Sequence, residues 1–297
     1  MSSQGKAYLY AAATVLFWST AASAFKLSLR RLDFLQLLLF SSATSTLVLF
    51  VILAARGKLS LLASFSKADY ARSALLGFLN PFLYYVVLFK AYSLLPARQA
   101  QPLNYTWPIM LVLLSVLLLG RKIGVKSIAA MCVSFFGVLI ISTEGNIASF
   151  GVSSPLGVGL AMGSSVVWAL YWIYNIKDGR DPVARLFLNF CFGFVFVLAA
   201  TAVFSDLRPP GAAGLAGAAY VGLFEMGLTF VAWITALKLS ANTARVSILV
   251  YLSPFLSLIF IHFVVGEDIP PSTIAGLVLI VAGIVVGQWK RAPASST

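Results

Sequence analysis

Residues 108–137, PIMLVLLSVLLLGRKIGVKSIAAMCVSFFG, return in outline 146 positions later as residues 254–283, PFLSLIFIHFVVGEDIPPSTIAGLVLIVAG. Pro108, Gly120, Ile123, Ile128, Ala129 and Gly137 meet Pro254, Gly266, Ile269, Ile274, Ala275 and Gly283. Working outward, an offset of 145 pairs Gly77 with Gly222 and Ala91 with Ala236, and an offset of 150 pairs Trp18 with Trp168. Loop insertions in a duplicated unit produce this drift. One apolar unit is therefore present twice.

The chain has 297 residues, of which 60% are hydrophobic and 10% charged, with a mean hydropathy of +0.96. So little charge cannot cover a soluble surface. Apolar runs of 17 to 26 residues recur along the whole length, each able to cross a hydrocarbon core as a helix. Ten are expected: Ala7–Leu27, Phe34–Ala54, Ser73–Tyr92, Gln101–Leu119, Ser127–Thr143, Pro155–Ile176, Leu186–Phe204, Ala212–Leu237, Val246–Val265 and Thr273–Trp289. Ala22-Ser23-Ala24 resembles a cleavage site after an apolar stretch. The lone Lys6 and the match with Pro155–Ile176 nevertheless mark residues 7–27 as the first span.

The net charge of +12 could suggest nucleic acid, but its distribution follows topology instead. Sorting loops to alternate sides puts fifteen Lys and Arg residues on one side and six on the other, which places both termini in the cytoplasm. Five spans per unit, an odd number, make the second unit enter from the opposite side. The fold expected is an all-α integral membrane protein of two inverted five-helix repeats around a central cavity. Its parts are residues 7–143, an inter-repeat loop at 144–154, residues 155–289 and a cytoplasmic tail at 290–297. Repeats of this kind are the architecture of carriers, whose two halves form a substrate path.

The reactive residues are sparse. There is one His (His262), and no H-E-x-x-H, P-loop or Gly-x-Ser-x-Gly sequence occurs. A membrane-embedded enzyme would need a cluster of catalytic groups at one depth. No catalytic, metal or cofactor site is expected. Cys132 and Cys191 lie inside apolar spans and read as small core residues. His262, Trp107, Trp172, Trp233 and Trp289 fall towards span ends, where an interfacial place is expected.

Glu225 stands apart at the middle of the eighth span, where a carboxylate costs about 2.5–3.5 kcal/mol to insert. The repeat aligns it with Asn80. Gly77, Asn80 and Tyr84 share one face of a continuous helix, as do Gly222, Glu225 and Thr229, so both faces are expected at one cavity. Gly77 and Gly222 are expected as gating positions, where close packing of the third and eighth spans controls access to that cavity. Pro108 and Pro254 are expected as kinks inside the fourth and ninth spans, each three residues after a tyrosine, Tyr105 and Tyr251. Trp18 and Trp168 hold equivalent mid-span positions and suit a cavity for an aromatic ligand with a polar end.

This pattern resembles the drug/metabolite transporter superfamily, in its ten-helix branch. The resemblance rests on Phe17-Trp18-Ser19 with Val167-Trp168-Ala169, Ala91-Tyr92-Ser93-Leu94 with Ala236-Leu237-Lys238-Leu239, and Phe136-Gly137-Val138 with Ala282-Gly283-Ile284. The Pro-to-Gly stretches above complete it. Asn80-Pro81, Tyr84-Tyr85, Gln101 to Pro108 and Glu225-Met226-Gly227 are similar to the aromatic amino acid exporter group of bacterial inner membranes. The resemblance implies export of neutral, often aromatic, amino acids by alternating access through a cavity between spans 1, 3, 4, 6, 8 and 9. The alternative is export of another small metabolite or an organic cation on the same scaffold. Trp18, Tyr84, Tyr105, Trp168 and Tyr251 would touch the substrate side chain, and Asn80 and Glu225 its polar end. The expected partners are a small-molecule substrate and the lipid bilayer, with the monomer as the working unit and no nucleic acid.

Overall fold

The structure, a computed structural model, describes residues 2–119, 125–146, 154–176, 178–241, 246–247 and 249–288. Gly120, Ile123, most of the inter-repeat loop, and the tail with Trp289 lie outside these. Among the described residues every regular element is helical. Ten helical segments are numbered α1 (Ser3–Ser28), α2 (Phe34–Ala55), α3 (Lys67–Leu94), α4 (Ala97–Leu118), α5 (Val125–Ser142), α6 (Pro155–Ile176), α7 (Pro182–Phe204), α8 (Ala212–Leu239), α9 (Leu249–Val265) and α10 (Pro271–Gln288). Seven of them, α1 to α4 and α6 to α8, are long and apolar enough to cross a membrane. The fifth, ninth and tenth expected spans fall on shorter apolar helices, Ile128–Ser142, Leu249–Val265 and Pro271–Val286.

Local chemistry sets the helix ends. Asp33 caps α2 through the N–H groups of Leu35 and Gln36, and Gln36 reaches back to the Asp33 N–H. Ser66 and Asp69 close the same reciprocal box on α3. Asp181 caps α7, with Pro182 at its first position, where the missing N–H costs nothing. Gly266 ends α9 at φ 80°, a left-handed conformation that glycine adopts without strain. Along the apolar helices, several hydroxyls bond back to carbonyls of the preceding turn, as in Ser19 to Val15 and Thr201 to Val197. Leu117, Phe204 and Phe263 project from the outer surface, and Cys132, expected in the core, is exposed there as well.

The packing crosses between the two halves. α1 lies on α8 and α9, and α6 lies on α3 and α4. α2 packs on α7 and α8, α7 on α2 and α3, and α5 on α10. Exchanging each helix for the one five places away returns the same set of pairs. Glycines set the closest approaches. A Cβ at Gly77 would stand 2.3 Å from the Asn189 carbonyl oxygen on α7, and one at Gly222 2.3 Å from that of Ser41 on α2. These two glycines serve helix packing away from the cavity.

Four helices are interrupted, in two matched pairs. α3 widens at Phe78–Leu83, where Asn80 is extended (φ −150°, ψ 117°) and the Asn80–Pro81 bond is cis. α8 widens at Val221–Gly227 and ends that stretch at Gly227 (φ −102°, ψ −86°). α4 stops at Asn104 and restarts at Trp107. α9 begins as a tight turn, Leu249–Leu252, before Ser253–Phe260. Pro108 and Pro254 were expected inside helices. Each is instead the second residue of a restarted helix, where no intrahelical hydrogen bond is lost. The interruption precedes the proline.

Candidate functional site

The central cavity encloses about 240 Å³ and is lined by six helices. Trp18, Ala21, Ala22 and Phe25 of α1 face it, as do Tyr84, Leu88 and Tyr92 of α3. α4 contributes Gln101, Asn104, Tyr105 and Trp107, and α6 contributes Trp168 and Trp172. Glu225 and Trp233 come from α8, and Val250 and Tyr251 from α9, with Ser247 just before it. Trp18, Tyr84, Tyr105, Trp168, Glu225 and Tyr251 are thus brought together.

Asn80 lies elsewhere. It is fully buried against α6 and α7, where its amide and that of Asn189 sit beside the Tyr171 hydroxyl. Neither amide completes a hydrogen bond of ordinary geometry. The shared face of Gly77, Asn80 and Tyr84 assumed an unbroken helix. The wide turn and the extended Asn80 change the register between Gly77 and Tyr84, so Tyr84 reaches the cavity and Asn80 does not. On α8, Thr229 likewise turns inward to the Phe224 carbonyl while Glu225 faces the cavity.

Aromatic rings form two connected walls. Tyr84 packs on Trp168 with centroids 4.6 Å apart, and Trp168 meets Trp172 edge to face at 5.9 Å. Trp18 lies 5.9 Å from Trp233. Phe230 joins the walls, 5.7 Å from Trp168 and 6.4 Å from Trp18. Trp107, Trp172 and Trp233 were expected at the membrane interface, and the structure puts them in the cavity. The legible signal was helical spacing: Trp172 follows Trp168 by one turn and so shares its face.

Polar ties cross the cavity between the two halves. The Tyr85 hydroxyl donates to Glu225 Oε1 (3.2 Å), leaving Oε2 without a partner. The Tyr105 hydroxyl donates to the Val250 carbonyl (3.1 Å), joining the interruptions of α4 and α9. Tyr84 donates to Asn104 Oδ1 (3.3 Å), and Asn104 Nδ2 donates to Ser164 Oγ on α6 (2.8 Å).

One end of the cavity is closed. Phe25 packs on Phe89 at 4.8 Å and on Tyr92 at 5.3 Å, and all three rings are buried. Outside them, Lys26 Nζ donates to the carbonyls of Tyr92 (3.0 Å) and Leu95 (2.6 Å), at the C-terminus of α3. Glu267 accepts from the N–H groups of Ala97 (2.9 Å) and Arg98 (3.0 Å), at the N-terminus of α4. The turn between α3 and α4 is thus held by a cation on a helix C-terminus and an anion on a helix N-terminus, both complementing the helix dipoles. Towards the end of the bundle where the chain begins, Trp172, Ser247 and Tyr251 are only half-buried.

The profile of the EamA-like transporter family matches residues 5–143 and again 155–287. An uncharacterized transporter of Bacillus subtilis, YvbV, is 29% identical over 226 residues, covering 74% of this chain and 72% of its own length. The aromatic amino acid exporter YddG of Ancylobacter novellus is 25% identical over 209 residues, 69% of this chain and 71% of that one. A crystal structure of 22% identity shares the fold, with a TM-score of 0.65 over 95% of this chain and 97% of the other.

Proposed function

The chain belongs to the EamA-like transporter family, and we propose that it exports neutral, aromatic amino acids from the bacterial cell through the central cavity. In this reading it spans the inner membrane ten times as two inverted five-helix repeats. Both termini are cytoplasmic, and the monomer is the working unit. The observation that carries the reading is a cavity between the halves whose walls are aromatic and which holds a single carboxylate, Glu225, among its described lining residues. The likeness to an aromatic amino acid exporter supports the same substrate class.

Trp18, Tyr84, Tyr105, Trp168 and Tyr251 would enclose the substrate side chain, and Glu225 would take its ammonium. Trp172 and Trp233 join them on their place in the cavity wall. Alternating access would proceed by release of the charge-held turn between α3 and α4 at one end and closure at the other. The interrupted helices α3, α4, α8 and α9 would absorb the change in backbone angles. Pro108 and Pro254 would act as the rigid starts of the moving halves, while Gly77 and Gly222 keep α3 and α8 seated on α7 and α2.

Counterflow of labelled phenylalanine, tyrosine and tryptophan in proteoliposomes tests the proposal, with arginine and glucose as controls. Uptake of the aromatic set alone is expected. If Glu225→Gln and Trp168→Ala both leave rate and affinity unchanged, the site is misassigned.

A further inference from the structure

We propose that α2 and α7 form a fixed frame for the change of access, pinned together at both ends through Asp33 and Asp181. Movement is confined to the chain beyond the wide turns of α3 and α8. The inference deepens the transport reading above and rests on it.

The two carboxylates perform the same pair of tasks. Asp33 Oδ1 accepts from the N–H groups of Leu35 (2.8 Å) and Gln36 (3.1 Å), and its Oδ2 accepts from Ser205 Oγ (2.5 Å). Asp181 Oδ1 accepts from the N–H groups of Val183 (3.0 Å) and Ala184 (3.1 Å), and its Oδ2 accepts from Lys58 Nζ (2.5 Å). Ser205 directly follows the end of α7, and Lys58 lies just beyond the end of α2. Each carboxylate thus caps the start of one helix and ties it to the end of the other. Gln36 Nε2 adds a bond to the Asp206 carbonyl at one end (3.2 Å), and Arg180 adds one to the Asp69 carbonyl at the other (2.9 Å). Between the ends α2 packs along α7, with the Phe50 and Phe187 centroids 5.9 Å apart. Surface ties of this kind add little stability. Their weight here is geometric.

In an inverted repeat, the axis that exchanges the halves also exchanges the two membrane faces. If each half takes the other's conformation, a cavity closed at one face becomes closed at the other. A contact that this exchange maps onto an equivalent contact is made in both states. Asp33 with Ser205 maps onto Asp181 with Lys58, because Asp181 follows Asp33 by 148 positions and Ser205 follows Lys58 by 147. The seat of Gly77 on the Asn189 carbonyl maps onto that of Gly222 on the Ser41 carbonyl, with the same 2.3 Å from an added Cβ. A contact without an equivalent belongs to one state only. Lys26 on the Tyr92 and Leu95 carbonyls, and Glu267 on the Ala97 and Arg98 N–H groups, are of this kind. Their counterparts in the repeat are Ile176 and Arg121, and neither side chain can make the equivalent bond. The boundary between fixed and moving chain falls inside two helices. Gly77 immediately precedes the wide turn of α3, and Gly222 lies at the start of that of α8. Within those turns the copies diverge, at the extended Asn80 in one and at Gly227 in the other. The first part of each helix stays with the frame, and the second part carries the gate.

The test bridges α2 to α7 in the full chain, in a background where Cys132 and Cys191 are replaced by alanine. A short bis-methanethiosulfonate joins Gln36→Cys to Asp206→Cys and Phe50→Cys to Phe187→Cys. Two rates are read in proteoliposomes. One is hydrogen exchange at the Ala97 and Arg98 amides, which Glu267 holds while that end is shut, and the other is phenylalanine counterflow. Both should stay within about twofold of the same variant before bridging, because neither bridge restrains a moving part. Bridging Phe25→Cys to Tyr92→Cys, across the closed end, should slow both by about tenfold or more. A fall of that size on bridging α2 to α7 overturns the inference, and counterflow before bridging then keeps the transport reading standing. Unchanged exchange on bridging Phe25→Cys to Tyr92→Cys overturns it as well. If no aromatic amino acid is carried before bridging, the transport reading falls and amide exchange alone decides the frame.

Discussion

Glu267→Gln perturbs the closed end of the cavity with little change of shape. The carboxylate accepts two backbone N–H bonds, at 2.9 and 3.0 Å, from the first turn of α4. An amide in its place keeps one acceptor oxygen and loses the charge. Hydrogen bonds to a charged group contribute about 1.5–3 kcal/mol against about 1 for neutral ones. The two bonds together therefore lose about 2 kcal/mol or somewhat less, because Glu267 is partly exposed and solvent screens it. If these bonds exist only while this end is shut, the equilibrium moves towards opening by about 5–30-fold. The repeat offers no counterpart at the other end: Arg121 and Ile176 stand where Glu267 and Lys26 stand here. The assay is labelling of Phe25→Cys, in a background where Cys132 and Cys191 are replaced by alanine. A membrane-impermeant maleimide is added from the side of the α3–α4 turn. Phe25 is 3% exposed, so labelling reports opening. The rate should rise 5–30-fold in Glu267→Gln and also rise in Lys26→Met. Equal rates in folded protein would refute the role given to these contacts.

Other outcomes follow from the packing and from the loop between α6 and α7. Asp178→Asn removes a fully buried carboxylate paired with Arg180 at 2.5 Å, and should cost about 3 kcal/mol in unfolding measured in detergent. Burial pushes the Asp178 carboxyl up, but hydrogen bonds and charge from Arg180 outweigh it and hold it below the usual carboxylate value. Its contribution is therefore complete well above the unfolded value of about 3.9, and is lost as pH falls through that value towards the folded one. Melting temperature against pH should show a drop at the acid end that Asp178→Asn lacks. Gly283→Ala places a Cβ 2.5 Å from the Ala130 carbonyl oxygen and should part α5 from α10, read as a lower melting temperature. Trp172→Ala should weaken aromatic ligand binding about tenfold or more without lowering stability as much, because the ring is half-buried on the cavity wall.

What could be read from the chain was what depends on composition and local periodicity. Apolar runs mark membrane helices because hydrocarbon tolerates little else. The doubled Pro-to-Gly pattern marks two equivalent units, and Glu225 marks a cavity because a buried carboxylate must have a reason to be there. Periodicity misleads wherever a helix is interrupted. A count of residues along an unbroken helix puts Asn80 on the cavity face, and the wide turn of α3 invalidates it. The same count puts Pro108 and Pro254 mid-helix, whereas each is the second residue of a segment that restarts after an interruption. Distance from a span end was a poor guide to Trp107, Trp172 and Trp233, because the cavity extends along the bundle and end residues can line it too.

The sequence by itself determined the class of fold, the duplication and the presence of one carboxylate at mid-span, all properties of neighbouring residues or of copies of them. Only the tertiary structure decided which partner each polar group meets. It joins Tyr85 to Glu225, Tyr105 to the Val250 carbonyl, and the ends of α3 and α4 to Lys26 and Glu267. These contacts join residues up to 170 positions apart. Helix register and crossing distance set them, and no local pattern encodes either.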